Sequence, residues 1–256
     1  MSDSFLALDL GNTHLTIGLY RGGRKSGSWR LSTDARRTAD EWWVLLTGLL
    51  AEAGAIERVA MASVVPDATA ALAEAAERAV GAVVERVDHR TPGILVDVVD
   101  PASVGADRLL NAVSAHRSGR APAIIVDFGT ATNIDVVSAE GAYVGGAIAP
   151  GVGVATEALL ARASQLPGFS LEMPASAIGR TTITCLQAGT VFGFGGLVDA
   201  IVQRIQAELG APCRVIATGG YAELIAGASA TIQEVDPDLT VDGLYRLFGE
   251  LAASDE

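Results

Sequence analysis

Ala123-Ile-Ile-Val-Asp127-Phe-Gly129-Thr130-Ala-Thr132 is the stretch whose reading decides the fold. An apolar, β-branched run ends in an aspartate, and a glycine and small hydroxyl residues follow. The N-terminus repeats the pattern as Phe5-Leu-Ala-Leu-Asp9-Leu10-Gly11-Asn12-Thr13. Each copy reads as a buried strand, a carboxylate and a tight turn with exposed N–H and hydroxyl groups, followed by another strand. Glycine lets a backbone approach a ligand closely. Amides and hydroxyls suit phosphate oxygens, and the aspartate suits a cation. One such turn carries little information. Two on matching strands predict a duplicated α/β fold with a cleft between its halves.

The chain around these turns supports that reading. At 256 residues it is long enough for one large domain or two smaller ones. Half the residues are hydrophobic and 19% are charged, which excludes a disordered chain. A net charge of −12 argues against a nucleic-acid or anionic-membrane surface. Lys25 is the only lysine, so any phosphate clamp would use arginine, backbone amides or a metal. Cys185 and Cys213 lie in apolar segments and read as buried, reduced thiols, consistent with a cytoplasmic location. His14, His89 and His116 are too scattered for a zinc site. No apolar run is expected to cross a bilayer.

In the first half, strands are expected at Phe5–Leu10, His14–Tyr20, Ser28–Ser32, Val59–Val65 and Val83–Val87. Thr38 and Glu41 form a capping-box signature at the start of a helix. Further helices are expected over Asp67–Val80 and Val104–His116. In the latter, Leu109, Leu110 and Val113 form the apolar stripe, and Asp107 and Asn111 share the opposite, polar face. Thr91–Pro101 reads as extended loop. The second half echoes the first, with strands at Ile124–Asp127, Asn133–Val137, Tyr143–Ala147 and Arg214–Thr218. Gly145–Gly151 reads as a glycine-rich loop. Thr182–Glu208 reads as long helical structure interrupted by Gly189, Gly193, Gly195 and Gly196. A last helix is expected over Val241–Leu251. The halves are drawn at 1–118 and 119–256. Ala217-Thr-Gly219-Gly220, after a strand and before a helix, would let a base or ribose approach the backbone.

Taken in order, the three turns resemble those of the actin-like, sugar-kinase and Hsp70 ATPase superfamily. More closely, the chain resembles type III pantothenate kinase from about Leu6 to Leu247. The motifs are Asp9-Leu-Gly-Asn-Thr13, Arg37-Thr-Ala-Asp-Glu41, Ser63-Val-Val-Pro66, Gly105-Ala-Asp-Arg108, Asp127-Phe-Gly-Thr-Ala-Thr132, Gly145-Gly-Ala-Ile-Ala-Pro-Gly151, Ala217-Thr-Gly-Gly220 and Asp236-Pro-Asp-Leu-Thr240. The resemblance implies duplicated ribonuclease H-like halves, each a mixed five-stranded sheet with helices. It implies ATP-dependent phosphorylation of pantothenate to 4'-phosphopantothenate, the first step of coenzyme A synthesis.

The resemblance also implies residue roles. Asp9, Leu10, Gly11, Asn12, Thr13, His14, Leu15 and Thr16 would hold ATP, with Asp9 reaching Mg²⁺ through the phosphates. Gly129, Thr130, Gly219 and Gly220 would also contact ATP. Gly105, Ala106, Asp107, Arg108 and Thr182 would bind pantothenate, with Asp107 as general base. Asp127 would help hold a monovalent cation, K⁺ or NH₄⁺. The family is dimeric. Four positions depart from its pattern: Val98 where a tyrosine is usual, Asp100 before Pro101 where an Asn-Pro pair is usual, Asn133 where a threonine is common, and Thr184 where a glutamate is common. Two other readings stay open, an accessory homologue that binds nucleotide without transfer activity and a kinase for another small hydroxylated acid.

Overall fold

The computed structural model describes residues 4–87 and 93–249. His89, the start of the expected Thr91–Pro101 loop and the end of the expected last helix lie outside those residues. The chain divides into two units. One runs to Gly119 and resumes at Asp238, and the other is Arg120–Pro237.

The first unit holds strands β1 (Ser4–Leu10), β2 (His14–Arg21), β3 (Arg24–Ser32), β4 (Arg58–Ser63) and β5 (Val84–Arg86). Its helices are α1 (Ala39–Leu49), α2 (Pro66–Val80) and α3 (Ala106–Arg117). The sheet order is β3-β2-β1-β4-β5. β1 pairs antiparallel with β2 and parallel with β4. Being central, β1 is buried on both faces, which is why its sequence is almost continuously apolar. Leu6, Leu8 and Leu10 pack with Trp42, Leu46 and Leu72 of the helices. Thr38 and Glu41 form the expected capping box on α1.

The second unit repeats the plan with β6 (Ala123–Phe128), β7 (Ala131–Val137), β8 (Tyr143–Pro150), β9 (Arg214–Gly219) and β10 (Glu234–Val235). Its helices are α4 (Val152–Arg162), α5 (Thr182–Leu209) and α6 (Ala222–Ala226). The order β10-β9-β6-β7-β8 matches the first sheet strand for strand. β6 again pairs antiparallel with its successor and parallel with the strand after the crossover.

Several expectations need correction. Gly145–Gly151 is not a loop, because β8 runs through it to Pro150. A Cβ at Gly146 would lie 1.9 Å from the Ile134 carbonyl oxygen, so the glycine serves a close cross-strand approach. α5 is one uninterrupted helix of 28 residues despite its glycines. Gly195 faces inward, where a Cβ would meet the Ala228 carbonyl oxygen at 2.6 Å, while Gly189, Gly193 and Gly196 face open space. By length and composition alone α5 could cross a bilayer, contrary to expectation, yet Val191, Val198 and Val202 are buried in the second unit's core. Cys213 is buried, but Cys185 is exposed near the start of α5.

The second half does not keep the chain's end. α7 (Leu239–Leu244) packs against α3 in the first unit. The contact is tight, since a Cβ at Gly243 would lie 2.2 Å from the Leu110 carbonyl oxygen. Thr240 Oγ1 donates to Asn111 Oδ1 at 2.8 Å. Lys25 pairs with Asp238, and the Tyr20 hydroxyl donates to Asp242. Asn111 is therefore fully buried rather than on a solvated polar face.

Candidate active site

In each unit the acidic turn sits at the carboxyl end of the central strand, where the next parallel strand also ends. Asp9 lies opposite Ala62 of β4 in the first unit. Asp127 lies opposite Thr218 of β9 in the second. The placement follows from parallel pairing, which brings two strand-to-loop ends to one sheet edge.

The first turn is compact. Gly11 N–H donates to His14 O at 2.9 Å, closing the link between β1 and β2. Gly11 is half-buried, whereas Asn12, Thr13 and His14 are exposed. Leu10 and Leu15 are fully buried in the core and expose no surface to a ligand, so the expected ATP contact falls on their exposed neighbours Asn12, Thr13 and His14 instead. Burial and the nearby Arg30 charge lower the pKa of His14.

Gly105–Arg108 opens α3 in the same unit, and α3 packs beside β4. Gly105 occupies the N-cap position but has no side chain with which to cap the helix. Asp107 supplies the missing acceptor. Its Oδ1 accepts the Arg108 N–H at 2.9 Å. Two opposed influences act on this carboxyl. Burial raises its pKa, while the Arg108 N–H, the Arg108 charge and its own N–H lower it, and burial prevails. A desolvated carboxylate with a raised pKa suits proton acceptance from an alcohol. Gly105 makes room for it, because a Cβ there would stand 2.5 Å from Asp107 Oδ1.

The second unit gathers Asp127, Gly129, Thr130, Gly219 and Gly220. Phe128 lies opposite Gly219, and Gly220 N–H donates to Phe128 O at 3.1 Å. Gly219 has a φ of +92°, and a Cβ on it would lie 2.6 Å from Asp127 Oδ1. The Asp127 carboxylate thus sits against a bare glycine backbone. Thr130 is backed by Gly151, whose Cβ would be 2.2 Å from the Thr130 carbonyl oxygen. Thr182 is exposed in the first turn of α5.

The departures from the family pattern also have places. Asn133 is the cross-strand partner of Asp127, so their side chains share one face. Thr184 completes a reciprocal cap on α5. Its Oγ1 accepts from Thr181 N–H at 3.0 Å, and its N–H donates to Thr181 Oγ1 at 3.2 Å. Val98 is half-buried.

Thr33 was absent from the sequence expectations. Its hydroxyl donates to Gly11 O at 2.7 Å and its N–H to Thr13 O at 2.9 Å. The two bonds join residues twenty-two and twenty positions apart, and no local spacing announces them.

Comparison with known proteins agrees with this arrangement. A ROK family glucokinase from Streptomyces griseus superposes with a TM-score of 0.55 at 14% identity, covering 98% of this chain and 99% of that one, a likeness of fold alone. Type III pantothenate kinase of Parafrankia sp. (strain EAN1pec) is 45% identical over 246 residues, 95% of this chain and 96% of that protein. Its counterpart in Acidiphilium cryptum (strain JF-5) is 42% identical over 248 residues, covering 94% and 93%. The family model for type III pantothenate kinase matches residues 5–204. With full-length relatives at this identity and a family model over most of its residues, the chain belongs to the type III pantothenate kinase family.

Proposed function

We propose that this protein transfers the γ-phosphoryl group of ATP to the primary hydroxyl of pantothenate, with Asp107 as general base. The observation that carries the reading is the Asp107 carboxylate itself, desolvated in the first turn of α3 with its pKa raised. The hydroxyl oxygen attacks the γ-phosphorus as the bond from phosphorus to the β–γ bridging oxygen breaks. ADP departs, and the hydroxyl proton passes to Asp107. Because the transition state is loose, positioning and charge neutralisation do most of the work. Arg108 offers a planar fork for the pantothenate carboxylate, and Thr182 a further hydroxyl contact. The turns at Asp9–Thr16 and at Gly129–Thr130 would take the phosphates, and Gly219–Gly220 the adenosine.

The residues also fit the ions such a reaction uses. Among the described residues no group of three His, Cys, Asp or Glu side chains could hold a metal unaided. Mg²⁺ commonly binds one or two carboxylates and takes phosphate oxygens and water for the rest. Asp9 meets that need at the first turn. Asp127, set against the glycine backbone at Gly219, is a hard oxygen donor suited to K⁺ or NH₄⁺. These ions would offset phosphate charge in a chain with a single lysine.

We read the protein as a cytoplasmic homodimer that binds neither nucleic acid nor membrane. The second unit supports the dimer, with β8 at a sheet edge and Ile148, Val154, Ile178 and Ile183 exposed. The free thiols of Cys185 and Cys213 are consistent with a reducing compartment. Ultracentrifugation tests the dimer, and a sedimenting monomer at micromolar concentration rejects it.

The decisive assay is pantothenate-dependent ADP release with Mg-ATP in K⁺ and in Na⁺. Turnover favoured by K⁺ is expected. A preference for another hydroxylated acid in the same assay would favour the alternative kinase reading, which the loss of a ring at Val98 supports. ATP binding without release on any acid would favour the accessory reading.

A further inference from the structure

We infer that Thr33 is a positioning residue for the phosphate turn at Gly11–Thr13. The inference rests on the reading that this turn receives ATP phosphates. Its own evidence is a pair of hydrogen bonds. Thr33 Oγ1 donates to the Gly11 carbonyl oxygen at 2.7 Å, and Thr33 N–H donates to the Thr13 carbonyl oxygen at 2.9 Å. One residue therefore holds two of the three carbonyls of the turn.

The consequence follows from peptide geometry. In a planar trans peptide the C=O and the next N–H point in opposite directions. Drawing the Gly11 carbonyl toward Thr33 turns the Asn12 N–H the other way. Asn12 is exposed and makes no hydrogen bond among the described residues, so that N–H is open to an anion. Without the tether, the 11–12 peptide could rotate, since glycine at position 11 opposes the rotation least. A rotated peptide would aim a carbonyl oxygen where a phosphate oxygen must go. The tether is itself anchored. Arg37 donates through Nη1 to Ser32 O at 2.7 Å and lies 4.7 Å from the ring centroid of the buried Trp42. Arg37 N–H donates to Asp34 O at 3.1 Å. Thr33 thus belongs to a braced loop rather than a loose one.

Wild type, Thr33→Val, Thr33→Ala and Thr33→Ser would be compared in the full-length protein. Calorimetry would give the Kd for Mg-ATP, steady-state kinetics the KM for each substrate, and thermal melts the folded fraction. Loss of one ordinary hydrogen bond implies a Kd and KM for ATP raised about threefold to tenfold in Val and Ala. The KM for pantothenate should move less than about twofold, and Ser should restore ATP affinity to within about twofold. A merely structural role would lower kcat with the active fraction and leave both KM values alone. Wild-type ATP affinity in Val or Ala overturns the inference, as does failure of Ser to rescue. Should Val fold poorly, Ala carries the same comparison. If wild type binds Mg-ATP but does not phosphorylate pantothenate, the functional reading fails while the Kd series still decides on Thr33. If wild type binds no Mg-ATP, both fail.

Discussion

Gly105→Ala tests the placement of the base without touching the base. The backbone at Gly105 has φ −59° and ψ 143°, a conformation open to alanine. The only obstacle is contact, because the new Cβ would stand 2.5 Å from Asp107 Oδ1. Relief needs a separation of about 3.5 Å, so the carboxylate oxygen must retreat by about 1 Å. A short side chain can make that move at little cost to the fold. Gly→Ala at a helix N-cap costs at most about 1 kcal/mol. Catalysis is far more sensitive, since a misplacement near 1 Å can lower a rate about a hundredfold. We expect kcat to fall about tenfold to a hundredfold, with the melting temperature within a few degrees of wild type. Coupled ADP release at saturating ATP, with pantothenate varied, measures it. A kcat within about twofold of wild type would refute the reasoning. A raised KM for pantothenate at unchanged kcat would instead make Gly105 a substrate contact.

Burial raises the pKa of Asp107, so the acid limb of kcat/KM for pantothenate should lie above the usual carboxylate range. Over that window the unfolded chain holds fewer protons than the folded one, so wild-type stability falls as pH rises through it. Asp107→Asn removes this fall and should gain in melting temperature on wild type as pH rises, while kcat drops about 10²- to 10⁴-fold. Full pantothenate-dependent turnover in Asp107→Asn would reject the assignment. Gly151→Ala would set a Cβ 2.2 Å from Thr130 O and 2.6 Å from Gly129 O. Both obstacles are backbone, so urea melts should show a loss of about 1–3 kcal/mol. Asp199 accepts from Ser229 Oγ at 2.6 Å, Ala230 N–H at 2.9 Å and Thr231 Oγ1 at 2.7 Å. Burial pushes its pKa up, but these donors together outweigh burial and hold it low. Its contribution is present above the unfolded carboxylate pKa and lost as pH falls through the lowered one. Asp199→Asn should therefore cost about 1 kcal/mol near neutral pH in this partly solvated site, with the gap closing below about pH 4.

The duplicated sheets were legible because their central strands are buried on both faces. Phe5–Leu10 and Ala123–Phe128 are apolar runs that stop at an aspartate and a glycine turn, and both the run and the stop are local properties. The capping box at Thr38 and Glu41 was readable for the same reason. Glycine misled the reading in two places. At Gly146 it marks a close approach of neighbouring strands rather than a loop. Along α5, packing of Val191, Gly195, Val198 and Val202 sustains a helix that intrinsic propensity would have broken.

The sequence by itself determined which residue types stand at each strand end: two acidic turns, a third glycine turn, and a Gly-Ala-Asp-Arg opening to α3. These depend on chain order, and chain order is all that a strand-to-turn pattern needs. Tertiary structure alone decided how those ends are held. Parallel pairing set Gly219 against Asp127, burial raised the pKa of Asp107, and Thr33 took hold of Gly11 from twenty-two residues away. It also returned α7 to the first unit, burying Asn111 on a helix face that the pattern had read as polar. Desolvation and non-local hydrogen bonds depend on distances in space, and those distances exist only once the chain has packed.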